Sequence, residues 1–596
     1  MRKLVFVLLV ALGLFARPAL AQAPPASRAS AASVLLANLF NAYWEDRARL
    51  FPLAAMAQGD NRYNDRLPND QTHAFRQQQQ RLCRRYLNDL LNIDRARLPA
   101  EDKLSYDIFQ YEMRTRLDGL RLNTWMMPMD PFFSVPNALA MLGTGTGAQP
   151  FRTVRDYDNW LARVDRFPVW ADSAVANFRL GMKAAVVLPR AVVQRMVPQL
   201  QAQVTSDVIR SPFYGPALHF PPGFSDADKV RLAAAYQQAI ATDLVPTYRR
   251  LADFLLNEYL PQTRSSTGLS DVPGGAEMYR YNVRLMTTTD RTPDAIYQTG
   301  LAEVKRIRAE MEAIRRRVGY RGTLAGFFNY LSTNAKFTPY QTPEQVLNAF
   351  RGIQARVAPN LTKLFGQVPR SPFEIRETEK FREAAATAEY NRGSPDGSRP
   401  GIFYVSIPDA TRFATTSGME SLFLHEAIPG HHYQISLQQE NAALPKFRRF
   451  AVYPAFSEGW GLYCESLGRE LGLYADPYQR MGALGDEMHR ALRLVVDVGL
   501  HAKGMTPEQA VAYLIANEPI SEPDATAEVE RYLALPGQAL AYKTGQLKLR
   551  ELRARYEQQL GTKFNLRAFH DEILSGGAMP LAILERRMDA WAVRQR

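Results

Sequence analysis

The segment His425-Glu426-Ala427-Ile428-Pro429-Gly430-His431-His432 constrains this chain more than any other. The sequence contains eight histidines, and three of them fall within these eight positions. A His-Glu pair followed by a further His is the pattern of a metal-hydrolase helix. There, two histidines four residues apart face one ion, and the Glu serves as general base. Here the spacing is six to His431 or seven to His432. In a regular helix, six residues rise about 9 Å and leave the two rings roughly 120° apart. Seven residues restore the face but separate the rings by about two turns. Zinc–nitrogen bonds are only ~2 Å long, so the helix must break if both histidines are to meet one ion. Pro429 removes an N–H from the helical ladder, and Gly430 accepts backbone geometry that other residues refuse. The expected pair of ligands is His425 and His431, with His432 facing substrate or supporting a ligand; His432 in place of His431 is the alternative. A plain helix stop with a histidine cap accounts for Pro-Gly but leaves the preceding His-Glu unexplained.

A third ligand completes a zinc site whose fourth position stays open to water. Glu458, in Phe456-Ser457-Glu458-Gly459-Trp460-Gly461-Leu462-Tyr463-Cys464-Glu465, lies far enough on for the chain to turn and return as a helix. Glu465 is seven residues later on the same face, where it can orient a ligand histidine. Glu426 is then the catalytic base, and one Zn2+ is the expected cofactor.

Along the rest of the chain, apolar residues recur at three- and four-residue spacing over about 34–112, 153–210, 226–260 and 292–316, and again beyond 454. Residues 123–150 read as loop, and the segment around Gly274-Gly275-Ala276 as irregular and aromatic-rich. Gly143-Thr144-Gly145-Thr146-Gly147 lacks the Gly-Lys-Ser/Thr ending of a phosphate loop. Residues 402–407 form the best strand, being β-branched and aromatic and preceded by Arg399-Pro400-Gly401. The predicted class is therefore mainly α, with a small sheet just before the metal-site helix.

Residues 1–21 have the layout of a secretory signal: a basic start, a 13-residue apolar run over 4–16, and small residues up to Ala21. No Cys follows the signal, so a lipid anchor is not expected; nor does any later stretch have the length of a membrane span. An Ala/Pro/Ser-rich leader follows over 22–33. Residues 34–596 then read as one helical catalytic domain, with an N-terminal lobe to about 270 and a metal-site lobe from 271. Export to the periplasm or medium is the expectation. The net charge of +13 is spread among acidic residues with no basic stripe, which argues against nucleic acid as a partner. Two cysteines, Cys83 and Cys464, are too few for a disulfide framework or a Cys/His zinc cluster. Neither has a nucleophile setting, and no Gly-x-Ser-x-Gly elbow occurs.

The motif 425–432, with Glu458-Gly459-Trp460 downstream, resembles the bacterial proteins grouped as domain of unknown function 885. So do Gly274-Gly275-Ala276, Arg399-Pro400-Gly401 and Pro536-Gly537-Gln538. Through them the chain resembles helical, deep-grooved zinc peptidases of the thermostable carboxypeptidase, thimet oligopeptidase and angiotensin-converting enzyme types. The resemblance implies a metallopeptidase with a peptide substrate. It implies that the strand at 402–407, with Tyr404, is an edge on which an extended peptide pairs. It implies that Tyr542 stabilises the oxyanion, with His501 as a second donor. Arg493 or Lys543 is a candidate for holding a substrate carboxylate. Arg493 and Asp497, four apart, read equally as an ion pair, and His489 as a satisfied core histidine. A zinc amidase or esterase, or an exported binding protein with a degenerate site, are the alternative functions.

Overall fold

The protein is described by a computed structural model that covers residues 30–379, 388–394, 397, 399–416 and 418–596. The signal at 1–21 and most of the leader lie outside the described residues, as do Ser398 and Ser417.

Sixty-nine per cent of the described residues are helical, and the strands among them form a three-stranded sheet. Helices Ala31–Leu50, His73–Leu91 and Ala100–Gly119 form the start. They pack onto the segment just beyond the histidine motif: Phe447 sits against Phe40 and Phe109, with ring centroids 4.6 and 5.1 Å apart. The core at the motif is thus built from both ends of the chain. No described helix is long and apolar enough to cross a membrane.

The Gly-Gly segment read as irregular is instead the start of helix α1 (Gly275–Thr287). Gly274 enters it at φ 73°, a left-handed conformation that suits glycine. A Cβ on Gly275 would lie 1.7 Å from the Leu269 carbonyl oxygen. The glycines serve a tight entry to a helix rather than a loop. Residues 123–150 likewise contain a short helix, Val135–Leu142.

Helix α2 (Pro293–Arg317) follows, capped by Thr292. The sheet comprises β1 (Phe373–Glu377), β2 (Glu389–Asn391) and β3 (Gly401–Val405), in the order β1-β3-β2. Strand β3 runs parallel to β1, with Phe373 opposite Gly401, and antiparallel to β2, with Glu389 opposite Tyr404. Every residue of β3 is buried, which explains its continuous apolar run. It is the central strand. The expectation of a peptide-pairing edge at 402–407 is therefore corrected: β1 and β2 take the main-chain groups on both sides of β3.

The motif helices come next: α3 (Met419–Glu426), α4 (His431–Glu440), α5 (Pro454–Glu465) and α6 (Pro477–Ala502), with α7 (Ala541–Leu560) near the end. Helices α5 and α7 pack closely, as do α2 and α6. Gly459 of α5 meets Gly545 of α7 with no room for a Cβ on either, and this crossing fixes the position of neighbouring Glu458.

Candidate metal centre

Helix α3 stops at Glu426. Ala427 leaves it at φ −97°, ψ −108°, the Ile428-Pro429 peptide is cis, and the chain re-enters a helix at His431. Gly430 makes this reversal sterically possible. A Cβ there would lie 1.8 Å from the carbonyl oxygen of His425 and 2.3 Å from that of Leu424. The groups freed by the break find partners. The Pro429 carbonyl accepts from Trp460 Nε1 at 2.9 Å and from Cys464 Sγ at 3.5 Å, and the His432 N–H donates to the Ala427 carbonyl at 3.2 Å. Helix α5 thereby braces the break. Cys464 and Cys83 are both buried and free, so the pair is not bridged.

The break brings the His425 and His431 rings to 4.8 Å between centroids, at 90° to each other. Glu458 Oε2 stands 3.5 Å from His425 Nε2 and 3.6 Å from His431 Nε2. All three donor atoms lie within 4.8 Å of one another. Two donors bonded at ~2 Å to one tetrahedral zinc stand about 3.3 Å apart, so this N,N,O set fits such an ion. Glu465 Oε1 lies 2.7 Å from His425 Nδ1, which leaves Nε2 directed at the cluster. The His425 ring rests on Gly461, where a Cβ would come within 2.7 Å of Nε2. His431 Nδ1 is buried without a partner.

Three carboxylates, Glu426, Glu458 and Glu465, crowd two imidazoles. Burial alone would lower the pKa of His425, but Glu458 and Glu465 outweigh it and hold the ring well above its usual range. Burial would raise Glu458, yet its two histidine partners hold it far below the usual carboxylate range. Burial pushes Glu426 up, helped by the Glu458 charge, against the pull of His431, His425 and Arg490. A site with this excess of negative groups favours a cation.

A family model described as a bacterial protein of unknown function (DUF885) matches residues 52–588. The chain belongs to the DUF885 family. In structure it is similar to a Colwellia psychrerythraea protein described as a lipoprotein, at 26% identity and a TM-score of 0.86, over 95% of this chain and 100% of that one. A Shewanella oneidensis protein described as a lipoprotein of unknown function shares the fold at 20% identity and a TM-score of 0.73, over 93% and 99%. An M32 carboxypeptidase of Deinococcus radiodurans R1 aligns over 87% of this chain and 99% of its own, at 11% identity and a TM-score of 0.31. No protein of curated function matches the sequence.

The other candidate residues of this DUF885 chain divide clearly. His432 turns away from the cluster. Its Nδ1 shares a hydrogen bond with the Tyr390 hydroxyl at 3.0 Å, its ring lies against Phe373, and burial lowers its pKa to about 4. It lines a separate cavity of about 250 Å³ with Phe423, Ile428 and Tyr433. Tyr404 is buried in β3. His501 offers no free donor: Nδ1 accepts from the Leu269 N–H at 3.2 Å, Nε2 donates to the Tyr532 carbonyl at 2.9 Å, and the ring is fully buried. The expectation of an oxyanion role for it is corrected on that ground. His489 is held by Glu518 and Glu528.

Lys543 and Arg493 are also committed. Lys543 is fully buried and contacts Glu487 at 2.8 Å, Glu303 at 2.9 Å and Gln546 at 2.7 Å. Burial would raise Glu487, but Lys543 and Arg306 hold it at about 2. Arg493 donates to Glu528 at 3.1 Å and to the Tyr532 hydroxyl at 3.2 Å, and lies 4.8 Å over the Tyr542 ring. It does not pair with Asp497, which accepts from the Tyr279 hydroxyl at 2.6 Å and the Gly537 N–H at 3.0 Å. That contact joins the Pro536-Gly537-Gln538 motif to α6. Tyr542 is half-buried, three residues before Gly545 on α7, with its ring under Arg493 of α6.

One residue escaped the sequence reading. Arg490 pulls on Glu426, and its Nε is buried without a partner. The available signal was the polar stripe Asp486, Arg490, Arg493, Asp497 on a helix otherwise apolar enough for a core.

Proposed function

We propose that this DUF885 protein is an exported zinc-dependent hydrolase that cleaves peptide bonds. One observation carries the proposal: the break at Pro429-Gly430 converges His425, His431 and Glu458 on one point, with Glu426 beside them. His425, His431 and Glu458 would hold the metal, and Glu465 would fix the imidazole of His425. Bound there, zinc supplies a Lewis acid for the scissile carbonyl and lowers the pKa of its water. Glu426 takes the proton from the attacking water and delivers it to the leaving nitrogen. Its upward-shifted carboxyl suits a group that must carry a proton for part of the cycle. An amine leaves only when protonated, which favours amide over ester substrates. Tyr542, its ring held by Arg493, is the proposed oxyanion donor. Export rests on the leader at 1–21. Two solved relatives are described as lipoproteins, while this chain has cysteines only at 83 and 464.

The test is peptide turnover followed through removal and return of metal. Chelation abolishes turnover, and stoichiometric zinc restores it. In Glu465→Gln, His425 loses its anionic anchor, and restoration requires about 10- to 100-fold more free zinc. Turnover that survives complete metal removal would overturn the reading.

A further inference from the structure

Sequence alone nominated Arg493 and Lys543 for a substrate carboxylate, and both are already paired with acidic residues of the protein. Their neighbours are equally committed. Arg306 binds Glu303, Glu310 and Glu487, and Arg550 binds Glu487. Arg490 differs. Its nearest carboxylate, Asp486, is 3.9 Å from Nη1, beyond hydrogen-bond reach. Asp486 Oδ2 is taken by the Ser421 hydroxyl at 2.5 Å. The Nε of Arg490 has no partner at all. A guanidinium with spare donors, half-withdrawn from water, is ready to receive a planar anion.

Its place follows from the register of α3 against α6. A Cβ on Gly482 would lie 2.5 Å from the Gly418 nitrogen. One turn on, Ser421 meets Asp486. One further turn along each helix brings this register to Arg490 on α6 and to His425 and Glu426 on α3. The side chain of Arg490 is 22% exposed, comparable with 24% for Glu458 and 12% for His431, whereas Arg493 is 5% and Lys543 0% exposed. Arg490 is thus as open as the metal ligands and lies on the helix packed against the one that carries His425. Glu426 hands its proton to the leaving nitrogen, so a cation next to Glu426 stands on the leaving-group side.

Resting on the peptidase reading above, we infer that Arg490 binds the C-terminal carboxylate of the substrate, which makes this DUF885 protein a carboxypeptidase-type enzyme that releases short C-terminal fragments. Arg490 is then the specificity-determining residue: a peptide whose carboxylate lies far beyond the cleaved bond leaves the guanidinium unpaired.

The experiment compares one short peptide as free acid and as C-terminal amide, with a third version that is amidated but acidic just after the scissile bond. Two readouts are taken on the full mature chain loaded with zinc: kcat/KM for each peptide, and affinity by calorimetry in the Glu426→Gln background. The free acid is favoured over the amide by about 100-fold in both readouts. In Arg490→Gln the ratio falls toward one, and Arg490→Lys, which keeps the charge, retains part of it. Equal handling of acid and amide by the wild type would overturn the proposal. So would an Arg490→Gln variant that weakens both in proportion, or an acidic amide that serves as well as the free acid. A chain that binds the free acid through Arg490 yet cleaves no peptide would sink the peptidase reading and keep the carboxylate site. A chain that cleaves acid and amide alike would do the reverse, and one that neither binds nor cleaves would sink both.

Discussion

Replacing Glu426 with Gln leaves the metal in place and lowers kcat on peptides by about 10³-fold, close to 4 kcal/mol of transition-state stabilisation. Glu426 is not one of the three converging donors, so zinc content is expected to stay at the wild-type level. Gln matches the shape of the carboxylate but can neither take the water's proton nor pass it on. The size of the loss is that of a positioned general acid–base group, typically about 10²- to 10⁴-fold. Stopped or single-turnover kinetics with zinc measured in the same samples provide the check. A fully active, zinc-loaded Glu426→Gln protein would remove Glu426 from the mechanism.

Gly430→Ala is expected to cost about 3–5 kcal/mol and to abolish stoichiometric zinc binding. The added methyl would sit 1.8 Å from the His425 carbonyl oxygen and 2.3 Å from that of Leu424, both of them backbone atoms in the turn that carries a ligand. Neither can move without displacing His425 from Glu465 and Gly461. The Pro429 carbonyl would also shift from Trp460 and Cys464, whose partners are lost in the core. Urea unfolding with metal analysis measures both effects. A Gly430→Ala protein with wild-type midpoint and zinc content would show that the reversal at 427–430 does not build the site.

Local chemistry made the motif legible. The missing N–H of Pro429 and the six-residue spacing require a break whatever the rest of the chain does, and the i, i+7 relation of Glu458 and Glu465 puts both on one face. The same locality explains why 402–407 was readable as a strand. Its place in the sheet was not readable, because its partners, 373–377 and 389–391, are short, charged segments with no strand signal of their own. The roles of the buried cations and of His501 were hidden for a further reason. Whether Lys543 is spare or spent depends on Glu303 and Glu487, and whether His501 can donate depends on Leu269 and Tyr532. Those partners arrive only through tertiary packing. By the same logic the vacancy at Arg490 appears only once every neighbouring cation has been matched with its acid.

The central claim is that the Pro429-Gly430 break selects His431, and not His432, to join His425 and Glu458 around one zinc ion. Elemental analysis of purified wild-type, His431→Ala and His432→Ala proteins tests it most directly. The account predicts one zinc per chain in the wild type, near-complete loss in His431→Ala, and retention in His432→Ala, whose ring lies against Phe373 and Tyr390. A folded wild-type protein that takes up no metal, or zinc that persists in His431→Ala and vanishes in His432→Ala, would contradict it.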